Sequence, residues 1–229
     1  MLSTSIRSLI IVGAGGHASE VAAYVGALAE QGVDVRLIGF VDEHRPLGPW
    51  NRSVVLGGFD ALRDLVTSRP EDCFEYITAV GANQVRMRFV REIERLGSHN
   101  LRPGTVVHPL ARIGPGAQVG AGTCLAPNSI VTTNAMIGRH CILNVKASVS
   151  HDASVGDFSN LNPGATVCGN VRIGRGCYIG AGATIIDKIN IGDYTTIGAG
   201  AVVVRDIPAG ATAVGVPARV TRRSEPVEV

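Results

Sequence analysis

The stretch VCGNVRIGRGCYIGAGATI, residues 167–185, carries an aliphatic side chain at every sixth position: Val167, Ile173, Ile179 and Ile185. The register continues without a slip on both sides. It runs through Val107, Ile113, Val119, Leu125, Val131, Ile137, Leu143, Val149, Val155 and Leu161 before this stretch, and Ile191, Ile197 and Val203 after it. A helix cannot use this period, because six residues advance it by about 600° and scatter successive members over different faces. Strict repetition of a short unit marks a solenoid whose coils stack on a shared core. Four residues past the anchors stand mostly small side chains, among them Ala117, Thr123, Ser129, Ala135, Cys141 and Ala147. Each hexad therefore sends one aliphatic and one small residue inward. Glycine directly follows many anchors, as in Ile113-Gly114, Val119-Gly120 and Ile173-Gly174. There it is expected to let a flat strand turn a corner. Three such faces close a triangular coil of roughly eighteen residues.

Composition agrees with a narrow, compact core. Of 229 residues, 45% are hydrophobic but only 4% aromatic, which suits small and branched side chains inside a thin solenoid. A net charge of +2 leaves no footprint for nucleic acid, and the basic residues gather only at Arg219, Arg222 and Arg223. The five cysteines form no CxxC pair; Cys141 and Cys177 fall on small inward positions and read as buried fillers. The apolar run at residues 8–12 ends at a glycine loop, too soon for a spanning helix or a secretory segment, so the chain is expected in the cytoplasm.

The first hundred residues follow another pattern. Leu9-Ile10-Ile11-Val12 reads as a buried strand running into Gly13-Ala14-Gly15-Gly16-His17-Ala18 and then a helix over 19–30. Further strands are predicted at 36–41, 54–56 and 76–80, with helices at 60–68 and 84–96. This alternation argues a small parallel α/β domain over 1–102, with 97–104 as the junction and 103–229 as the solenoid and tail. Gly13, Gly15 and Ala18 satisfy the loose dinucleotide fingerprint, with Asp42 ending the second strand where a ribose acceptor sits. The strands are too few for two mononucleotide halves, which favours one nucleotide, or a nucleotide-diphosphate sugar, on the helix N-terminus over a nicotinamide cofactor. A tight turn without a ligand is the bland alternative.

A glycine loop of the form Gly-Ala-Gly-Gly-His followed by hexad coils, closing on Val214-Gly215-Val216-Pro217-Ala218-Arg219, resembles the hexapeptide-repeat sugar acyltransferases of the sialic acid O-acetyltransferase type. Within that group it is most similar to bacterial N-acetyltransferases of nucleotide-linked 4-amino-sugars. The resemblance covers essentially the whole chain. It implies a half-Rossmann domain followed by a left-handed parallel β-helix; the period alone does not give the hand, since ordinary crossovers are right-handed. It also implies a homotrimer with sites between subunits, acetyl-CoA as donor, and transfer to the amine of a nucleotide-linked 4-amino-4,6-dideoxy sugar. The substrate positions it marks are Gly13, Gly15, Gly16, His17, Asp42, Gly81, Asn83 and Arg86, the last equally readable as a solvated helix charge.

For catalysis it marks Asn144, His151 and Asp152. An imidazole takes a proton near neutrality, and an adjacent carboxylate fixes its tautomer. The family carries Glu where this chain has Asp152, one methylene shorter, and ideal strand alternation would aim Asp152 away from His151. His151, two residues past Val149, is expected on a coil face. On the donor side the resemblance marks Gly169, whose amide faces the thioester carbonyl, and Asn160, in place of a second histidine. It adds Ala181, Ala199 and Arg219; Arg219 with Arg205, Arg222 and Arg223, near the C-terminal coils, reads equally as a set that meets the coenzyme phosphates and as a solvated basic tail. Cys168 is the only rival nucleophile, and the spacing of His140 and His151 argues against a zinc site. Two other readings stay open: O-acetylation of sialic acid or another sugar hydroxyl, and a trimeric ligand-binding scaffold without catalysis.

Overall fold

A computed structural model describes residues 6–223. The chain divides into two compact units, Met1–Pro109 and Leu110–Val229.

In the first unit the elements follow as β1 (Arg7–Val12), α1 (Gly16–Glu30), β2 (Val35–Val41), β3 (Gly48–Trp50), β4 (Ser53–Gly57), α2 (Phe59–Ser68), β5 (Phe74–Thr78), α3 (Asn83–Arg95) and β6 (Leu101–Pro103). The sheet order is β3-β4-β2-β1-β5-β6, parallel except for the β3–β4 hairpin. Leu9, Ile10 and Ile11 are fully buried in the central strand, as a continuous apolar run in a parallel sheet requires. The pattern missed two short edge strands, β3 and β6. Both contain a proline, which removes a ladder donor and confines them to the rim. The segment read as a junction thus contributes β6 to the sheet. Strand β5 also begins two residues earlier than predicted. Its second residue, Glu75, is buried yet charged, and is held by Arg7 at 2.7 Å and Arg102 at 3.0 Å, so its polarity disguises a strand position.

The second unit is a parallel β-helix of two-residue strands on three faces. Face one stacks Arg112–Ile113, Ile130–Val131, Ser148–Val149, Thr166–Val167, Thr184–Ile185 and Val202–Val203. Face two stacks Gln118–Val119, Met136–Ile137, Ser154–Val155, Arg172–Ile173 and Asn190–Ile191. Face three carries Cys124–Leu125, Ile142–Leu143, Asn160–Leu161, Tyr178–Ile179 and Thr196–Ile197, and ends on Ala211–Val214 with the antiparallel Arg219–Arg223. The register is constant: Val131 pairs Val149, which pairs Val167, which pairs Ile185. Every anchor from Leu125 to Val203 is buried, and so is every inward small position from Thr123 to Ala201. Ile113 and Val119, at the first coil, are not.

The corner glycines do a different job from the one expected. Those directly after an anchor do not have positive φ. A Cβ at Gly120 would stand 2.5 Å from the carbonyl carbon of Gly138, and one at Gly156 2.6 Å from that of Gly174. They are glycine because the next coil passes too close for a side chain. The bend itself lies two residues later. Every position three past an anchor, from Gly116 to Gly200, has φ between 54° and 76°. Nine of these are not glycine, including Phe158 and Tyr194. That conformation costs roughly 1–2 kcal/mol for an L-residue. It is held by stacking: the Asp152 amide donates to the Thr133 carbonyl at 3.1 Å, Phe158 to Arg139 at 2.8 Å, and Asn170 to His151 at 3.0 Å.

Candidate active site

In the first unit, chain direction splits between β1 and β5. Strand β1 leads through α1 to β2 on one side, while β5 leads through α3 to β6 on the other. Ligands of open α/β sheets bind at such a switch point, off the carboxyl ends of the strands. The Gly13–His17 loop and the Gly81–Arg86 segment both end there, so the two groups of predicted substrate residues meet. Gly13 has φ 108°, and a Cβ on it would lie 2.9 Å from Val80 Cγ2, so the two loops touch backbone to side chain. Gly15, Gly16 and Gly81 face open space at the starts of α1 and α3.

Both carboxylate oxygens of Asp42 accept from backbone amides. Its Oδ2 accepts from the Ala14 amide at 2.8 Å, and Oδ1 accepts from the amides of His44 and Arg45 at 2.9 and 3.0 Å. Burial pushes this carboxyl upward, but the three amides outweigh it and hold it below the ordinary range. Arg45 completes the grip by donating Nε to the Ala14 carbonyl at 2.8 Å while lying over Trp50 at 4.5 Å. The sequence marks the loop from Arg45 to Asn51, with Trp50, as a place that could shape substrate choice but gives Arg45 no partner; the β3–β4 hairpin, itself unpredicted, brings Trp50 beneath it.

Arg86 is not a solvated helix charge. It is fully buried, with Nη1 donating to the Val80 carbonyl at 2.8 Å and Nη2 to Asn83 Oδ1 at 3.2 Å, so it braces the loop after β5. His17 pairs Nδ1 with Glu20 at 3.1 Å, while its Nε2 is buried without a hydrogen-bond partner among the described residues. Burial holds this imidazole below its usual value, with Glu20 opposing. A neutral ring with one hydrogen-bonding atom to spare suits a polar ligand at this loop.

In the second unit His151 stands in the corner between faces one and two, not on a flat face. The corner resolves the doubt about Asp152. With φ 58°, Asp152 turns back toward its neighbour, and His151 Nδ1 lies 2.9 Å from Asp152 Oδ2. Strand alternation does not apply where the chain has left the strand. The imidazole side chain is 60% exposed, and with Nδ1 engaged by Asp152 the ring nitrogen that remains is Nε2. Bonds from His151 first, and from Asn134 Nδ2 at 3.3 Å second, hold the Asp152 carboxyl below its ordinary range. One coil onward, a Cβ at Gly169 would lie 2.7 Å from His151 Cε1 and Nε2. Gly169 therefore belongs to the His151 corner. Asn134 was missed; it stands eighteen residues before Asp152, and that interval was a readable signal.

Other predicted residues stand apart. Asn144 turns its Oδ1 onto the Val145 amide at 2.7 Å. Asn160 is buried on face three at 3% exposure and does not reach the His151 corner within one chain. Ala181 and Ala199 are exposed and share the corner between faces three and one, joined by the Gly200 amide on the Ala181 carbonyl at 2.8 Å. Their neighbours Gly182 and Gly200 meet nothing within 4 Å, so this column offers small side chains and accessible backbone, which suits a pantetheine arm. It is a different corner from that of His151. Arg219 is exposed and gives Nη1 to the Ala218 carbonyl at 3.0 Å. Arg205, Arg222 and Arg223 are also exposed. Cys168 is half-buried, and burial pushes the Cys177 thiol up to about 12, far from a nucleophile's range. No helix among the described residues is long and apolar enough to cross a membrane.

Comparison with known proteins gives a consistent result. Residues 8–93 match the PglD N-terminal domain family, and residues 152–187 and 170–205 match the bacterial transferase hexapeptide (six repeats). The acetyltransferase domain of PglB from Neisseria gonorrhoeae FA1090, solved in complex with acetyl coenzyme A, is 34% identical with a TM-score of 0.82, covering 93% of this chain and 98% of that one. A variant of perosamine N-acetyltransferase from Caulobacter crescentus, in complex with CoA and GDP-perosamine, is 29% identical with a TM-score of 0.83, covering 95% and 98%. WeeI from Acinetobacter baumannii AYE is 28% identical with a TM-score of 0.81, covering 93% and 99%. No curated protein matches.

Proposed function

The chain belongs to the hexapeptide-repeat sugar N-acetyltransferases with a PglD-type N-terminal domain, and on that premise we propose that it acetylates the amine of a nucleotide-linked 4-amino-4,6-dideoxy sugar from acetyl-CoA. The observation that carries this reading is the His151–Asp152 contact of 2.9 Å on an exposed corner, with Gly169 against the same ring. Asp152 accepts the Nδ1 proton and fixes the tautomer, so Nε2 is the basic nitrogen. The sugar amine attacks the thioester carbonyl and passes a proton to Nε2. As the tetrahedral adduct collapses, the imidazolium returns that proton to the departing thiolate, giving the amide and free CoA with no covalent enzyme intermediate. In this reading the Gly169 amide, beside the same ring, donates to the oxyanion.

The nucleotide diphosphate belongs at the switch point, where Gly15 and Gly16 open the start of α1 and the buried Arg86 adds positive charge behind the loop. Ala181 and Ala199 line the path of the pantetheine arm. Because their corner and that of His151 differ within one chain, the reading includes a homotrimer in which one subunit's donor corner serves its neighbour's base.

The test is free-thiol release from acetyl-CoA against UDP-, dTDP- and GDP-linked 4-amino sugars, with His151→Ala alongside. Turnover with one of them, abolished in the variant, is expected. Release only with sialic acid, or thiol release untouched by His151→Ala, overturns the reading.

A further inference from the structure

The His151 corner contains a group to which neither the comparisons nor the proposed chemistry gives a role. Asn134 stands one coil before Asp152, at the equivalent corner position, and donates Nδ2 to Asp152 Oδ1 at 3.3 Å. Asp152 Oδ2 is the oxygen that meets His151 Nδ1. The carboxylate is thus held at both oxygens, one by the imidazole it orients and one by an amide below it.

Building on the base reading above, we propose that Asn134 is a positioning residue for the reaction, acting on His151 through Asp152. The physical need is plain. Asp152 is exposed, with 48% of its side chain open to solvent, so its χ angles depend on its hydrogen bonds. A free carboxylate on a corner would rotate among rotamers and spend only part of its time on Nδ1. An amide donor on the second oxygen selects the rotamer in which the first faces the imidazole. It also favours the ionised form, since a hydrogen bond to a carboxylate stabilises its charge.

Two features of the same column support the assignment. Asn134 itself has φ 58°, the corner conformation that asparagine tolerates better than most residues. Gly116, one coil earlier, leaves room for the Asn134 carboxamide, because a Cβ there would run into Asn134 Oδ1. The column therefore reads Gly116, Asn134, Asp152, and the imidazole of His151 is bounded on its far side by Gly169. Glycine stands below the Asn134 carboxamide and beyond the His151 ring, leaving space for the polar groups between them. The charged residues that continue this corner, Asp187, Lys188, Arg205 and Asp206, lie beyond Gly169; the Lys188 amide donates to the Gly169 carbonyl at 3.0 Å.

Asn134→Gly is the decisive variant, since glycine accepts φ near 58° and deletes only the carboxamide. Asn134→Asp keeps the size and sets a second carboxylate against the first. Kinetics of the full-length enzyme with acetyl-CoA and its amino-sugar nucleotide, as a function of pH, are compared with those of wild type and His151→Ala. Asn134→Gly should lower kcat about tenfold and leave both KM values within about twofold. The acid limb of the kcat/KM profile should differ from that of wild type, a readout that a merely structural part would not move. Asn134→Asp should lose more, since like charges repel across the same gap. If both variants keep wild-type kcat and the wild-type acid limb while His151→Ala is inactive, the role of Asn134 is refuted and the base reading stands. If Asn134→Gly only lowers Tm, with kinetics per folded enzyme unchanged, its part is structural and the proposal also fails. Activity retained in His151→Ala refutes the base reading and this one with it.

Discussion

Two histidines sit in corners of the same solenoid, eleven residues apart, and have opposite fates. His140 is 1% exposed; its ring covers Gly122 one coil earlier and stacks on Phe158 one coil later, centroids 5.0 Å apart and 16° from parallel. His151 has an exposed ring, a carboxylate on Nδ1 and glycine as its neighbour one coil onward. The repeating backbone treats the two corners alike. The two histidines do not share a place within the corner, since His140 takes the left-handed position three past its anchor, at φ 54°, and His151 the position before it. Eighteen residues on, an aromatic ring seals one imidazole where a glycine leaves the other open. In a stacked fold, a side chain's chemistry is set as much by its neighbour one coil away as by its neighbours in sequence.

This contrast can be broken in order of effect. Replacing His151 by Ala should reduce turnover on the order of 10³-fold, within the range of a lost general base, with an unchanged Tm; comparable turnover in the variant would place both histidines in the structural class. Phe158→Ala should do the reverse. It removes a buried ring at 5% exposure and should cost about 3 kcal/mol in denaturant unfolding, leaving kcat per folded enzyme intact. A catalytic loss as large as that of His151→Ala would show that the two corners are coupled. Gly169→Ala should sharpen the comparison by giving His151 a neighbour. A methyl 2.7 Å from the ring must displace it, and an ångström of misplacement costs up to about 10²-fold, so kcat should fall by more than tenfold while Tm changes little.

The smallest effect belongs to the first unit. His17 is held neutral by burial, its folded pKa below that of the unfolded chain. Between those two values the unfolded state binds more protons, so stability is full above the ordinary imidazole value of 6.5 and falls as pH drops below it. His17→Gln should flatten the dependence of Tm on pH between about 7.5 and 5. An unchanged slope would assign it to another group.

Much of the site was legible because the repeat supplies coordinates. Once the period is six and three hexads close a coil, His151 and Gly169 become neighbours by count alone, and Asn134 beneath Asp152 was open to the same count. Arg45 and Asp42 were not legible as a pair gripping Ala14. Their arrangement depends on a short hairpin with no pattern of its own. Arg86 was ambiguous for a related reason: helix periodicity says which face a residue occupies, but not that the loop before α3 folds back and accepts from its guanidinium.

By itself the sequence determined the solenoid, its register and the parallel α/β unit before it, because unbroken periodicity in apolar residues leaves few ways to bury them. Tertiary structure alone decided why each corner glycine is there, which carboxylate oxygens are already taken, and how Asp152 turns back onto His151. Those outcomes rest on distances between coils and on a left-handed backbone angle, and a one-dimensional pattern of residue types records neither.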